Sequence, residues 1–252
     1  MMRIVFACAL LACAANALPV PLSSERSELQ SPFRQSSALT ISSNLDSSPS
    51  ACKGCIQASV VAINEILNAV LNEGVVGGCE DLCGKLPEKA EQVVCDAVCI
   101  GLGVYEFVKL LERKGGPDPI YYCQLAHMCK VDDCTGDCAD VETLGVSPAS
   151  GKKGTNFVVA GNLNVTKASG AGMTRITLYI PDPKEMPQEQ DALNTNLDPG
   201  SYGLQIGVDS SQFPVAGNYT LEVKICEGMC DLDYPHTRTF SAKNVTFTVT
   251  EQ

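Results

Sequence analysis

The chain has 252 residues, 45% of them hydrophobic, and a formal net charge of −11 from 29 acidic and 18 basic side chains. That balance excludes a nucleic-acid binder of the usual basic kind, because neutralising phosphates takes clustered Lys and Arg. Two histidines and no tryptophan leave little for a His-rich metal site, and fourteen cysteines are too many for an ordinary cytosolic enzyme.

Residues 1–3 make a short basic start, 4–14 an apolar run, and Ala15-Asn16-Ala17 puts small residues at the −3 and −1 positions of a cleavage site. Residues 1–17 therefore read as a secretory signal peptide, too short to span a bilayer. Its removal takes Cys8 and Cys13 and leaves an even twelve cysteines. A secreted protein, or one held in the endolysosomal lumen, is expected, with disulfides permitted. Residues 18–50 carry eleven serines and several prolines with no hydrophobic period, which predicts a disordered pro-segment or linker.

From 51 to 133 the pattern is helical. Ile56, Val60, Ile63, Leu67 and Val70 recur at three- and four-residue spacing along a first helix. A second helix is expected over 79–85, and Pro87 is placed at the first position of a third. Val104, Phe107, Val108, Leu110 and Leu111 mark a fourth, and Asp118-Pro119 reads as an N-cap and N1 pair opening a last helix that runs to Cys129. Cys79 and Cys83 lie one turn apart on one helix, as do Cys95 and Cys99 on the next. Folding the two as a hairpin brings Cys83 to Cys95 and Cys79 to Cys99. The remaining Cys52, Cys55, Cys123 and Cys129 close the two ends of the region, with zinc at Cys52-Lys-Gly-Cys55 as the alternative.

The spacing of Cys52, Cys55, Cys83, Cys95, Cys123 and Cys129 resembles the saposin B-type pattern over about a third of the chain. The resemblance implies Cys52–Cys129, Cys55–Cys123 and Cys83–Cys95 bridges, a four- or five-helix domain at 51–133, and binding or perturbation of membrane lipids. The apolar residues assigned to lipid contact are Ile56, Val60, Ile63, Leu67, Val104, Phe107 and Leu111. Residues 51–133 carry a net charge of −5, so binding to anionic membranes is expected to need acid, which neutralises carboxylates. His127 stands at a position where amoebapore-like relatives place a histidine, and histidine titrates near neutrality, so it is a candidate pH switch.

Cys134 and Cys138 frame a linker over 134–145, after which 146–252 turns to period two. Ile176, Leu178 and Ile180 alternate with polar partners, as do Tyr219, Leu221, Val223 and Ile225, and then Val245, Phe247 and Val249. This predicts an antiparallel β-sandwich resembling an immunoglobulin-like domain. Cys226 and Cys230 are expected to pair locally, with a cross-pairing to Cys134 and Cys138 left open. Asn164, Asn218 and Asn244 open glycosylation sequons. The expected fold class is thus α + β in separate domains, a disulfide-stapled saposin-like domain followed by the sandwich.

The combination of a Cys-framed helical region and a Cys-containing β tail resembles the countin-type proteins of social amoebae, which are extracellular factors. No Gly-x-Ser-x-Gly, HExxH or P-loop pattern occurs, so no catalytic residue, cofactor or metal is expected. Two functions are carried forward. In the first, a secreted or endolysosomal protein acts on membrane lipids, promoted by acid. In the second, an extracellular countin-like factor acts through a cell-surface receptor. A homodimer is a further possible partner state, and nucleic acid is not a partner.

Overall fold

A computed structural model of the chain describes residues 36–43, 50–73, 77–111, 116–132 and 134–251. The predicted signal peptide at 1–17 lies outside these residues. In chain order the elements are β1 (Leu39–Ser43), α1 (Ser50–Glu73), α2 (Cys79–Cys83), α3 (Lys89–Leu102), α4 (Val104–Leu111) and α5 (Pro119–Leu125). They are followed by β2 (Ala139–Ser147), β3 (Ser150–Lys152), β4 (Asn156–Val165), β5 (Gly172–Tyr179) and β6 (Gln188–Asn194). The last strands are β7 (Gly200–Asp209), β8 (Gly217–Glu227) and β9 (Arg238–Thr250).

The strands form two sheets, ordered β1-β7-β4-β2 and β3-β9-β8-β5-β6. Every pairing is antiparallel except β3 with β9. Alternation drives the packing, as period-two sequences place one residue in two toward the facing sheet. Val159 and Ile206 from one sheet and Ile176, Leu221 and Val223 from the other are all 0% exposed in one core. Aromatic rings fill one end of this core, with Phe213 4.3 Å from Tyr219 and Phe157 4.5 Å from Phe247 between centroids.

The helices build a second core. Ala62, Ile63 and Ile66 of α1, Leu82 of α2, Val98 of α3, Phe107 and Leu111 of α4 and Tyr122 of α5 are buried together. Asp118 caps α5, its Oδ1 accepting from the N–H groups of Ile120 and Tyr121, with Pro119 at the helix start. The third helix begins at Lys89 behind an N-cap at Glu88, so Pro87 lies before the helix instead of opening it. Gly103, at φ 82°, turns the chain from α3 into α4, a backbone region that favours glycine.

Several expectations are corrected. The separate-domain fold class is overturned: among the described residues more lie in strands than in helices, and no separate saposin-like helical domain is evident. The described residues belong to one compact unit. The physical reason is a third core, in which Cys52, Cys55 and Ile56 of α1 and Ile120 and Cys123 of α5 are buried with Ala171, Met173, Cys226, Met229 and Cys230 from the strand region. Helical periodicity reports that a face is buried but not what buries it. β5 carries the mark of this arrangement. Ile176 and Leu178 enter the sandwich, yet Met173, Arg175 and Thr177 on the opposite face are buried too.

The Ser-rich 18–50 segment also departs from its expectation, because 39–43 is strand β1, paired with β7 from Leu39↔Val208 to Ser43↔Leu204. Ser36 reaches across to the other sheet, its N–H donating to Gln190 Oε1 at 2.8 Å and its hydroxyl to Gln188 Oε1 at 2.9 Å. Likewise β2 begins at Ala139, inside the stretch read as a linker. Leu39 is 4% exposed in the sandwich core, so Leu39→Ala should cost about 2–4 kcal/mol in denaturant unfolding. A change within about 0.5 kcal/mol, as at a surface position, would show that β1 contributes nothing to the folded state.

Candidate functional site

Among the described residues, six disulfides organise the molecule. Cys79–Cys99 and Cys83–Cys95 are two rungs between α2 and α3. Cys52–Cys129 and Cys55–Cys123 tie the first turns of α1 to α5 and the turn after it. Cys134–Cys138 and Cys226–Cys230 each close a short local loop.

The residues assigned to lipid contact line the interior. Ile56, Ile63, Phe107 and Leu111 are buried, while Val60, Leu67 and Val104 are half-buried. The seam between α1, α3, α4 and α5, which Ile63 and Phe107 line together with Ser59, Ala62, Ile66, Val98 and Tyr122, holds only about 10 Å³. That is the room of a single water and far short of an acyl chain. In this arrangement the stripe is core. A wider open cleft of about 480 Å³ lies between α1 and α2, with Ile66, Ala69, Leu82 and Leu86 among its lining and Glu65, Asn68 and Lys85 supplying polar groups. Among the described residues, no cluster of His, Cys, Asp and Glu could hold a metal ion, and no helix is long and apolar enough to cross a membrane.

His127 is exposed and sits at φ 57°, one residue beyond the C-cap Ala126 of α5. Its N–H donates to Gln124 O at 3.0 Å, and the next N–H, of Met128, donates to Cys123 O at 2.9 Å. This is the paired closure of a Schellman helix end, with histidine in the left-handed position that glycine usually fills. The hydrogen bonds give the backbone at His127 a structural task, independent of its side chain.

The site that sequence reasoning missed is the junction between α5 and the strand region. Asp118 is fully buried, and while its Oδ1 caps the helix, its Oδ2 accepts from Met229 N–H at 3.3 Å. Glu227, 2% exposed, accepts from Gly170 N–H at 3.0 Å. Tyr234 lies with its ring 5.3 Å from that of Tyr121, and its hydroxyl donates to Gly116 O at 2.8 Å. Arg238 donates to the carbonyl of Cys134. Nearby, Arg175 holds Asp191 in a two-pronged pair at 2.9 and 3.1 Å and Asp231 at 3.0 Å, and Lys224 joins Asp231 at 2.8 Å. The available signal was Glu227 itself, a charge set inside Cys226-Glu-Gly-Met-Cys230 directly after an apolar strand.

Burial pushes the Asp118 carboxyl above the usual carboxylate range, against the N–H groups of Tyr121, Met229 and Ile120 that pull it down. Burial raises Glu227 as well, opposed by the Gly170 N–H and by Arg238. For Asp231, burial alone would raise the carboxyl, but Lys224 and Arg175 overcome it and hold it low. Asn218 and Asn244 are exposed on β8 and β9, whereas Asn164 on β4 is half-buried and its side-chain amide donates to Glu142 at 2.9 Å. The structure thus places all three sequons on strands and none on the helices.

Two predictions arise from this geometry. A carboxyl raised by folding contributes stability that is present below its unfolded value and lost as pH rises through its folded value. Asp118 and Glu227 act in this sense, while Asp231 acts in the opposite sense and only below about pH 4. The denaturation midpoint should therefore be higher near pH 5 than near pH 7, and Glu227→Gln should flatten the rise. A midpoint that falls steadily from neutral to pH 5 in the wild type would contradict the assignment. Separately, His127→Gly should be neutral or should stabilise by roughly 1 kcal/mol, as glycine relieves the left-handed backbone. Destabilisation beyond about 1 kcal/mol would assign the imidazole a contact of its own.

Residues 47–127 match the countin N-terminal domain and residues 139–252 the countin C-terminal domain. The chain is 31% identical to Countin-1 of Dictyostelium discoideum over 215 residues, spanning 83% of this chain and 81% of that one. It is 30% identical to Countin-3 of the same organism over 212 residues, or 82% and 93% of the two chains. Among solved structures, the C-terminal domain of wzt aligns with a TM-score of 0.35 at 10% identity, over 47% of this chain and 76% of that one, a likeness too low to carry an argument. With both halves matched in order and two relatives at this identity across most of their length, the chain belongs to the countin family.

Proposed function

We propose that the protein is an extracellular countin-like factor that acts by binding a protein on the cell surface, without catalysis and without inserting into lipid. The observation that carries this reading is the third core. The apolar helix faces that a lipid-handling protein would open are buried against one another and against Met173, Met229 and Cys226 from the strand region. Opening them means parting the helices from Met173 and Met229, and four cysteine bridges within the helical region limit how far the helices can separate from one another. An acid-triggered opening has no support from the junction, since its raised carboxyls hold protons more tightly in the folded state, which acid therefore favours. Six disulfides and three sequons fit an oxidising, extracellular setting.

The test is binding of labelled, oxidised protein to cells of the producing organism. Saturable binding that mild protease treatment of the cells abolishes, and that liposomes made from their lipids do not compete, is the expected result. Non-saturable binding, or quantitative flotation with those liposomes at neutral or acid pH, would return the lipid reading.

A further inference from the structure

Among the described residues, an apolar face at the corner of α3 and α4 is left uncovered by the fold. Val93, Ile100, Leu102 and Tyr105 are 47, 68, 37 and 68% exposed. Ala97 is exposed as well, and the four- and three-residue steps from Val93 to Ala97 to Ile100 draw one line along α3. Gly103 caps α3, and α4 begins at Val104 with Tyr105 as its second residue. Glu106 and Lys109 follow as an exposed pair 3.2 Å apart, with the Lys109 ammonium 4.2 Å from the centre of the Tyr105 ring. Single exposed apolar side chains are ordinary, but a cluster rimmed by charge marks an interaction surface.

We propose that this face is the contact between two copies of the chain, related by a two-fold axis. The charges favour that occupant. The chain carries −11 overall, so two copies repel across most of their surfaces. At this corner a carboxylate and an ammonium stand side by side against an apolar centre, so the rim is locally neutral and complementary to itself. A two-fold axis sets Glu106 of one copy opposite Lys109 of the other and Lys109 opposite Glu106, while Ile100 and Tyr105 meet at the middle. Glycans on Asn164, Asn218 or Asn244 would attach to strands, leaving the helical corner free of sugar. The dimer does not depend on the receptor reading, because a dimer can form whether or not a receptor is engaged.

Sedimentation velocity of the oxidised, full secreted chain over about 1–100 µM tests the proposal, with circular dichroism of each variant confirming the fold. Concentration-dependent dimerisation is expected, and Ile100→Asp should weaken it by roughly tenfold or more. Glu106→Lys should also weaken it, by setting like charges across the axis, and the double change Glu106→Lys with Lys109→Glu should restore it. A wild-type monomer at every concentration overturns the proposal, as does a dimer that Ile100→Asp leaves unchanged. Flotation of a monomeric wild type with neutral phosphatidylcholine vesicles, lost in Ile100→Asp, also overturns it, in favour of a membrane.

Discussion

The fold depends on one buried zone, where Met173 and Met229 from the strand region share a core with Ile56, Ile120 and the cysteines at both ends of the helical segment. A helical layer of this size has only a small core of its own, and disulfides fix its topology without enlarging it. The third core, shared with the strand region, adds burial to it. The fit is close: at Gly172, where β5 begins, an added Cβ would collide with the carbonyl of Cys226. Asp118 then joins the parts by polar contact, capping α5 with one oxygen and receiving the Met229 N–H with the other.

That arrangement limits what the molecule can do. Apolar side chains committed to three cores are not free to cover an acyl chain, the seam between α1, α3, α4 and α5 is the size of one water, and the wider cleft between α1 and α2 is open and partly lined by Glu65, Asn68 and Lys85. A disulfide-linked body with its sequons on strands is suited to presenting surfaces. Two kinds of surface stand apart. Polar strands with the sequons make up one, and the apolar α3–α4 corner makes up the other.

Much of this was legible in the residues. The cysteine number pointed to disulfides, Asp118-Pro119 to a helix start, and the alternation around Ile176, Leu221 and Phe247 to facing strands. β1 was hidden because Leu39 and Ile41 alternate for only five residues amid serines, and its stability comes from β7 and from Ser36 bonding to Gln188 and Gln190, none of which is local. The union of helices with strands was hidden for a related reason. The stripe through Ile56 and Ile63 looks the same whether its cover is another helix or a sheet, and in fact Ile56 and Ile63 enter different cores. In the sequence His127 is only a histidine between Cys123 and Cys129; its left-handed backbone, closing α5, is visible only once the helix end is placed.

The central claim is that helices and sandwich unfold as one body. Native-state hydrogen exchange under increasing denaturant, with all six disulfides intact, tests it most directly. The account predicts that core amides of α1 and α5 open with the same free energy and denaturant dependence as those of β5 and β8. Helical amides that open together at markedly lower free energy, while β5 and β8 stay protected, would contradict it and restore two independent domains.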